Sequence, residues 1–445
     1  MRKKHIPQAS IFEFYCKHEN GQQLKAISMN IDENPQILEL VADELLKNET
    51  KNTGREGLSV ESIIRISLLK QMMGLTYNEL SFYLADSLSY RSFTRIENEP
   101  SASSLQSCIS LIDASLWEKI NTSILAETAS MGIEKGRMAR IDSTVTETNI
   151  HPPTDSSLLW DCIRVMVSQL LSLKTVLAPN CFKFQNHTRT AKKKARGIVY
   201  SKKSAQIKLY QDLLALVGKT KGYLSHAILQ TEFVQNPLLF PELKLEAEKL
   251  IALTEKVISQ TERRVLRNEK VPHTDKVFSI FEAHTDIIIK GSRDIQYGHK
   301  INLTTGKSGL VLDVFIEEGN PADTARLCPM IERQIDIYGR PPRQVAADGG
   351  YASIDNLNSA KDLGVKDMSF QKKRGLKIED MAKSQWVYKK LCDFRAGVEG
   401  NISCLKRRYS LSRCNWQGID RFKAFVWSST VAYNLMTLAR LSLSK

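Results

Sequence analysis

Three carboxylates in this chain sit in settings that point to chemistry. Asp142 lies in R-I-D-S-T, Asp348 in V-A-A-D-G-G and Glu399 in F-R-A-G-V-E-G. Aspartate is disfavoured inside strands, yet Asp142 falls in the Thr/Val/Ile-rich run MARIDSTVTETNI, where it shares a face with Thr144, Thr146 and Thr148. Asp348 closes the apolar run QVAA, and the carboxyl ends of strands in α/β sheets are where sites form. Gly349 and Gly350 let the chain turn sharply and leave room beside that carboxylate. Hard oxygen donors at the ends of elements suit Mg²⁺, and two such ions assist the attacking and leaving oxygens in phosphoryl transfer. Plainer readings stand beside this one: a strand-end cap for Asp142, a turn residue for Asp348 and a surface ion pair for Glu399. Glu147 and Asp155 are neighbouring rivals, and Asp313, in V-L-D-V-F, is a reserve carboxylate.

Glu399 needs a helix to carry it, and the spacing predicts one over roughly 384–409. On it Arg395, Glu399, Ile402 and Lys406 fall within about 60° of one another. Leu391, Phe394, Val398, Ile402 and Leu405 form the apolar stripe expected to pack on a sheet. The charged residues border that stripe, where they reach a site above the sheet. Gly397 and Gly400 each cost the helix about 1 kcal/mol relative to alanine. That cost makes sense if a bulky backbone such as DNA approaches. Arg407 and Arg408 extend the basic run.

The other elements follow from periodicity. Residues 1–130 read as helical, with Val60, Ile64, Leu68 and Met72 on one face and Gly74 ending that helix. Thr76 to Glu79 is a capping box for the next helix, so the pair is either a helix-turn-helix or a plain packed hairpin. Two more helices are expected near SASSLQSCISLIDASLW and EKINTSILAETASMG. A strand begins at residue 138. From Asp155 to about Lys290 the pattern is helical. Within it, residues 181–222 carry 11 Lys or Arg against one acid, interleaved with aromatics. This stretch, Lys192, Lys193 and Lys194 above all, reads as a DNA track or as a charged loop. GHKINLTT and GLVLDVFIEEG read as an antiparallel hairpin. A helix around ADTARLCPMIERQIDIYG, the strand RQVAAD, a helix from Ser353, the strand KDMSF and a last helix after residue 419 complete an α/β layout interrupted by an insertion.

The 445 residues suffice for two or three domains. The 63 Lys and Arg against 49 acids, net +14, attract polyanions, nucleic acid first among them, although an ordinary basic enzyme has the same balance. Eight cysteines without a C-x-x-C pair or a Cys/His cluster argue against zinc and disulfides and fit a reducing cytosol. No apolar run reaches membrane length, and the basic start MRKKHIPQAS is not followed by the apolar segment of a signal peptide.

Together these residues resemble the DDE transposases of bacterial insertion sequences, loosely the ISNCY-like group. Asp142, Asp348 and Glu399 match that family's carboxylates in order and element. Arg395, Glu399 and Lys406 keep the spacing of its Tyr-x2-Arg-x3-Glu-x6-Lys signature, with Cys392 in place of the tyrosine. GREGLSVESIIRISLLKQMMGLTYNELSFYL, VAADGGYAS and IDSTVTETNIHPPTDSSLLWD are similar to family segments. The resemblance implies an RNase H-like α/β catalytic domain (136–150 plus 291–410) with a mixed sheet flanked by helices. It further implies a helical N-terminal DNA-binding domain (1–130), a basic helical insertion (155–290) and a C-terminal helical segment (411–445). It implies binding of terminal inverted repeats, then cleavage and strand transfer into target DNA. Two Mg²⁺ ions, replaceable by Mn²⁺, would be held by Asp142, Asp348 and Glu399. Arg395, Lys406, Arg407 and Arg408 would grip phosphate, and Trp416 would stack on an unpaired base or serve packing. A homodimer on double-stranded DNA, in the nucleoid-associated cytoplasm of a bacterium and away from membranes, completes the expectation. Two rival functions stay open: another RNase H-like metal nuclease, and a domesticated transposase that only binds DNA.

Overall fold

The computed structural model describes residues 4, 14–47, 57–290 and 294–443. Most of the basic start MRKKHIPQAS lies outside these, as do residues 54–56 at the head of the first family-like segment. The chain forms two compact units, one of Met1–Thr148 with Gly298–Lys445, the other of Asn149–Tyr297.

The first unit begins with helices α1 (Glu19–Asp32), α2 (Pro35–Leu46), α3 (Val60–Met73), α4 (Tyr77–Asp86), α5 (Leu88–Thr94), α6 (Ala102–Ile109) and α7 (Ala114–Ser130). Gly74, at φ +64°, stops α3, and Thr76 with Glu79 caps α4 reciprocally, both as expected. The one-faced burial expected of α3 is not what forms: every residue from Val60 to Met72 is buried. Its charges are met internally. Arg65 bonds Asp32 at 2.6 Å and Glu61 at 3.1 Å, and the Lys70 ammonium lies over the rings of Tyr77 and Trp416. The first of the two later helices is also shorter than expected, because the Asp113 side chain accepts from the Leu116 amide and starts α7 there. Strand β1 (Met138–Glu147) follows.

The second unit holds α8 (Asp155–Val176), α9 (Thr188–Tyr200), α10 (Lys203–Ile228) and α11 (Phe240–Thr261). The KKKARG segment is therefore helical and not a loop: Ala191, Ala195 and Ile198 form the buried stripe of α9. The helical pattern expected to reach Lys290 ends at a π-turn, Glu262–Leu266. Asn268 takes φ +54° just beyond it, only a short 3₁₀ turn (His273–Asp275) follows Pro272, and the β-branched run of β2 (Asp286–Lys290) favours a strand.

Strand β3 (Asp294–Gly306) pairs with β2, and its first residues belong to the second unit. From Gly298 onward it enters the first unit and forms the expected antiparallel hairpin with β4 (Val311–Ile316). Then come α12 (Leu327–Tyr338), β5 (Gln344–Ala347), α13 (Ile354–Asp362), β6 (Asp367–Phe370), α14 (Ile378–Met381), α15 (Gln385–Arg408) and α16 (Ile419–Leu443). The strands of this unit lie in the order β4-β3-β1-β5-β6, a mixed sheet in which β3 runs opposite to the other four. Ile141, Val345, Met368 and Phe370 of this sheet share a buried core with Leu391 of α15. Helix α16 is buried on most of its surface and shares a core with α1, α3 and α7. No helix among the described residues is long and apolar enough to cross a membrane.

Candidate active site

Register places the first two carboxylates. β1 and β5 are parallel neighbours with Ile141 opposite Ala347, so the next residues, Asp142 and Asp348, come level. Adjacent strands are about 4.8 Å apart. β5 stops at Ala347, and Asp348 caps the short turn Gly349–Tyr351, accepting from the Gly350 amide. The space beside these glycines is already taken. A Cβ on Gly349 would lie 2.8 Å from the Lys372 Cβ, and one on Gly350 would lie 2.6 Å from an Asp323 oxygen. They admit neighbours of this chain, not open room beside the carboxylate.

Helix α15 brings the third carboxylate, and Arg395 joins all three. Its Nη2 lies 2.9 Å from Asp142 Oδ2 and 3.3 Å from Asp348 Oδ1, and its Nη1 lies 2.9 Å from Glu399 Oε1. Arg395 does not border the buried face, as the wheel suggested, but lies within it, with its side chain only 9% exposed. Exposure rises across the acids from 14% at Asp142 through 35% at Asp348 to 65% at Glu399, so the cluster opens toward solvent on the Glu399 side. Among the described residues, no three His, Cys, Asp or Glu are grouped to hold a metal as they stand. The donor set nonetheless fits a hard divalent ion in kind, being all carboxylate, and a cation, the guanidinium, already sits where the three converge.

The residue that aligns α15 over β1 went unnoticed in the sequence. Arg140 is buried two residues before Asp142, on the same strand face. It donates from Nε to Thr305 Oγ1 at 2.8 Å, from Nη1 to the Phe394 carbonyl at 3.0 Å and from Nη2 to Asn401 Oδ1 at 2.7 Å. Asn401 passes the link on to the Gly309 carbonyl and to the Tyr433 hydroxyl of α16. This explains Gly397: its Cβ would lie 1.9 Å from Arg140 Nη1. The expectation that this glycine clears space for DNA is thus corrected, since an internal arginine fills the space. Among the described residues nothing lies within 4 Å of a Cβ position at Gly400, so there is room there for a neighbour. The available signal was an arginine at i−2 from an in-strand aspartate, paired with an unexplained helical glycine.

The remaining candidates scatter. Lys406 is half-buried, with its pKa lowered by desolvation and partly restored by Glu147; Arg407 and Arg408 are exposed. Trp416, partly exposed, packs edge-on against Phe425, 5.7 Å between centroids, beside Lys70, a contact that the packing alternative expects. Cys392, where the family tyrosine is expected, is half-buried against the core beneath α15. A tyrosine lies one turn earlier: Tyr388 donates to the Phe370 carbonyl at 2.8 Å. Asp313 is held by two bonds to Arg333, at 2.6 and 2.7 Å, and Asp155 by Arg264 at 3.0 Å, so both serve structural ion pairs. On α9, Lys192 and Lys193 are exposed, whereas Lys194 pairs with Asp212 at 2.6 Å. The exposed face of α4 shows Asn78, Glu79, Phe82, Tyr83 and Asp86 and no cation. A DNA-reading second helix favours cations, so this face is the one that the plain-hairpin alternative expects.

Two family models match this chain. One, described as Transposase DDE domain, spans residues 283–435, and the other, Transposase domain (DUF772), spans 12–111. The chain belongs to the DDE-type transposases of insertion sequences. Comparison with curated proteins and with solved structures gives no match. The matched span of the transposase includes Asp348, Arg395 and Glu399 but begins after Asp142. It is the β1–β5 register that adds Asp142 to them. The protein is an enzyme of a family that acts on DNA and generally uses divalent metal ions.

Proposed function

We propose that the transposase binds the terminal inverted repeats of its insertion sequence, cuts at their ends and joins the freed 3′-hydroxyl to target DNA, with Asp142, Asp348 and Glu399 as its catalytic carboxylates. The observation that carries this reading is the convergence of those three acids, from β1, the end of β5 and α15, on one guanidinium. The strand order β4-β3-β1-β5-β6, with β3 reversed, supports an RNase H-like catalytic domain. In it the second carboxylate follows the fourth strand, as the resemblance requires. The stretch from Asn149 to Tyr297 is then an insertion between the first and second strands.

Two Mg²⁺ ions at the carboxylates would supply a water of lowered pKa and neutralise charge on the leaving oxygen. The chain's own residues do the positioning. Asp142 and Asp348 fix the floor of the site through strand register, and Glu399 closes it from the exposed side. Arg407 and Arg408, exposed at the end of α15, hold the DNA backbone through charge-assisted bonds. In the second unit Lys192, Lys193 and Arg196 face solvent opposite the buried stripe of α9 and add a sequence-independent grip. Joining two ends calls for at least a homodimer on the DNA, and the work is done at the bacterial nucleoid.

Cleavage of an end-labelled duplex bearing the element's terminal repeat, with Mg²⁺, tests this reading. Wild type is expected to nick at the repeat boundary. Glu399→Gln and Asp348→Asn should lose nicking by about 10³-fold or more while keeping DNA affinity. Binding without nicking by wild type would instead identify a DNA-binding protein that has lost its chemistry. Nicking without strand joining would identify a nuclease.

A further inference from the structure

We infer that Arg395 is a resident counter-ion of the carboxylate cluster, which keeps the site closed to divalent cations until a DNA phosphodiester draws its guanidinium away. The inference rests on the catalytic assignment above and adds a regulation to it. Arginine cannot lose its charge in a protein, so this cation is permanent wherever it sits. Here it takes the inward oxygens, Asp142 Oδ2 and Asp348 Oδ1, through a single Nη2, and Glu399 Oε1 through Nη1. While the guanidinium holds them, these oxygens are not free to act as ligands to a divalent cation. One guanidinium bridges three carboxylates, and a single positive charge does not by itself neutralise three negative ones, so the cluster retains affinity for a stronger cation. The side chain is also poorly anchored elsewhere: its Nε is buried and has no hydrogen-bond partner among the described residues. A buried donor without a partner costs about 1–3 kcal/mol, and a phosphate can satisfy it. Guanidinium forks suit phosphate oxygens as well as carboxylates, and the cluster opens to solvent on the Glu399 side. DNA and divalent ions should therefore bind cooperatively, the phosphate taking up the guanidinium that a bound ion displaces from the carboxylates. Linkage makes the coupling equal in both directions. The transposase would carry little metal, and do no hydrolysis, until substrate DNA is seated.

The test is Mn²⁺ affinity of the full-length protein, read as free ion by electron paramagnetic resonance, with and without a short duplex of the element's terminal sequence. For wild type the duplex should tighten Mn²⁺ binding by about tenfold. Arg395→Gln should bind Mn²⁺ about tenfold more tightly than wild type without DNA, and the duplex should add little. Arg395→Lys, which cannot span three carboxylates, should fall between. Equal Mn²⁺ affinity of wild type with and without duplex overturns the inference, and needs no variant to fold. So does an Arg395→Gln protein, folded by circular dichroism, that binds Mn²⁺ no better than wild type; Arg395 is then a structural ion pair. If Asp142→Asn and Glu399→Gln bind Mn²⁺ as wild type does, the carboxylate assignment itself fails.

Discussion

Gly397 and Gly400 lie three residues apart on one helix and are indistinguishable in sequence, but their surroundings differ. Alanine is ordinarily better than glycine in a helix by about 1 kcal/mol. At Gly400 a methyl meets nothing, so Gly400→Ala should raise stability by up to about 1 kcal/mol and weaken DNA binding if a backbone passes there. At Gly397 the methyl drives into the Arg140 guanidinium, which can yield only by releasing Thr305, the Phe394 carbonyl and Asn401. Gly397→Ala should therefore lose about 2 kcal/mol, and nicking should fall because α15 shifts over Asp142. Urea unfolding of both variants checks the opposite signs; equal gains would mean that Arg140 moves aside freely. Arg140 thus acts as a positioning residue, through Phe394 and Asn401, on the helix that carries Arg395 and Glu399.

Helix α3 shows what happens when an element is buried beyond its own amphipathic face. Its Lys70 is 5% exposed, and desolvation lowers its pKa from 10.5 to about 8. Below pH 8 the lysine is charged in both states, and the folded state bears the whole desolvation cost. Between about 8 and 10.5 only the unfolded chain keeps the proton, so stability rises with pH across that window. The rings of Tyr77 and Trp416, 4.8 and 5.5 Å from the ammonium, offset part of the cost. Lys70→Met should raise stability at pH 7 by on the order of 2 kcal/mol and remove the extra rise. Thermal melts of both proteins from pH 7 to pH 11 read this directly. Parallel curves would mean that the amine is solvated.

At the scale of the whole molecule, the basic excess is spread over several elements. On α9 the cations opposite the buried stripe face solvent, while others neutralise carboxylates internally: Arg65 in the N-terminal helices, Arg333 beside Asp313, Lys194 beside Asp212. Only the solvent-facing set is available for DNA. Replacing Lys192, Lys193 and Arg196 together by glutamine should reduce the salt dependence of duplex binding by about 0.9 log units for each phosphate no longer neutralised, nearly three in all. Lys194→Gln should leave that slope unchanged. A fluorescence-anisotropy titration across ionic strength separates these outcomes. An unchanged slope in the triple variant would remove α9 from the DNA path.

Much of this organisation was legible in the linear chain because it depends on local rules. The capping box at Thr76, the stop at Gly74, the β3–β4 hairpin and the span of α15 follow from residues within a few positions of one another. The order of Asp142, Asp348 and Glu399, and the spacing of Arg395, Glu399 and Lys406, were likewise readable and pointed to the transposase family. What only tertiary structure decided was which side chain each of these meets. Strand register between β1 and β5, set across about 200 residues of chain, levels Asp142 with Asp348. The burial that turns Arg395 from a flanking cation into the hub of three carboxylates comes from the sheet beneath α15. The same distance hid Arg140 from Gly397 and set Trp416, partly buried, against Phe425 at the edge of the core. Helical and strand periodicities assign faces, but they carry no information about partners far away in sequence, and those partners determine whether a charge is a ligand, a counter-ion or a surface residue.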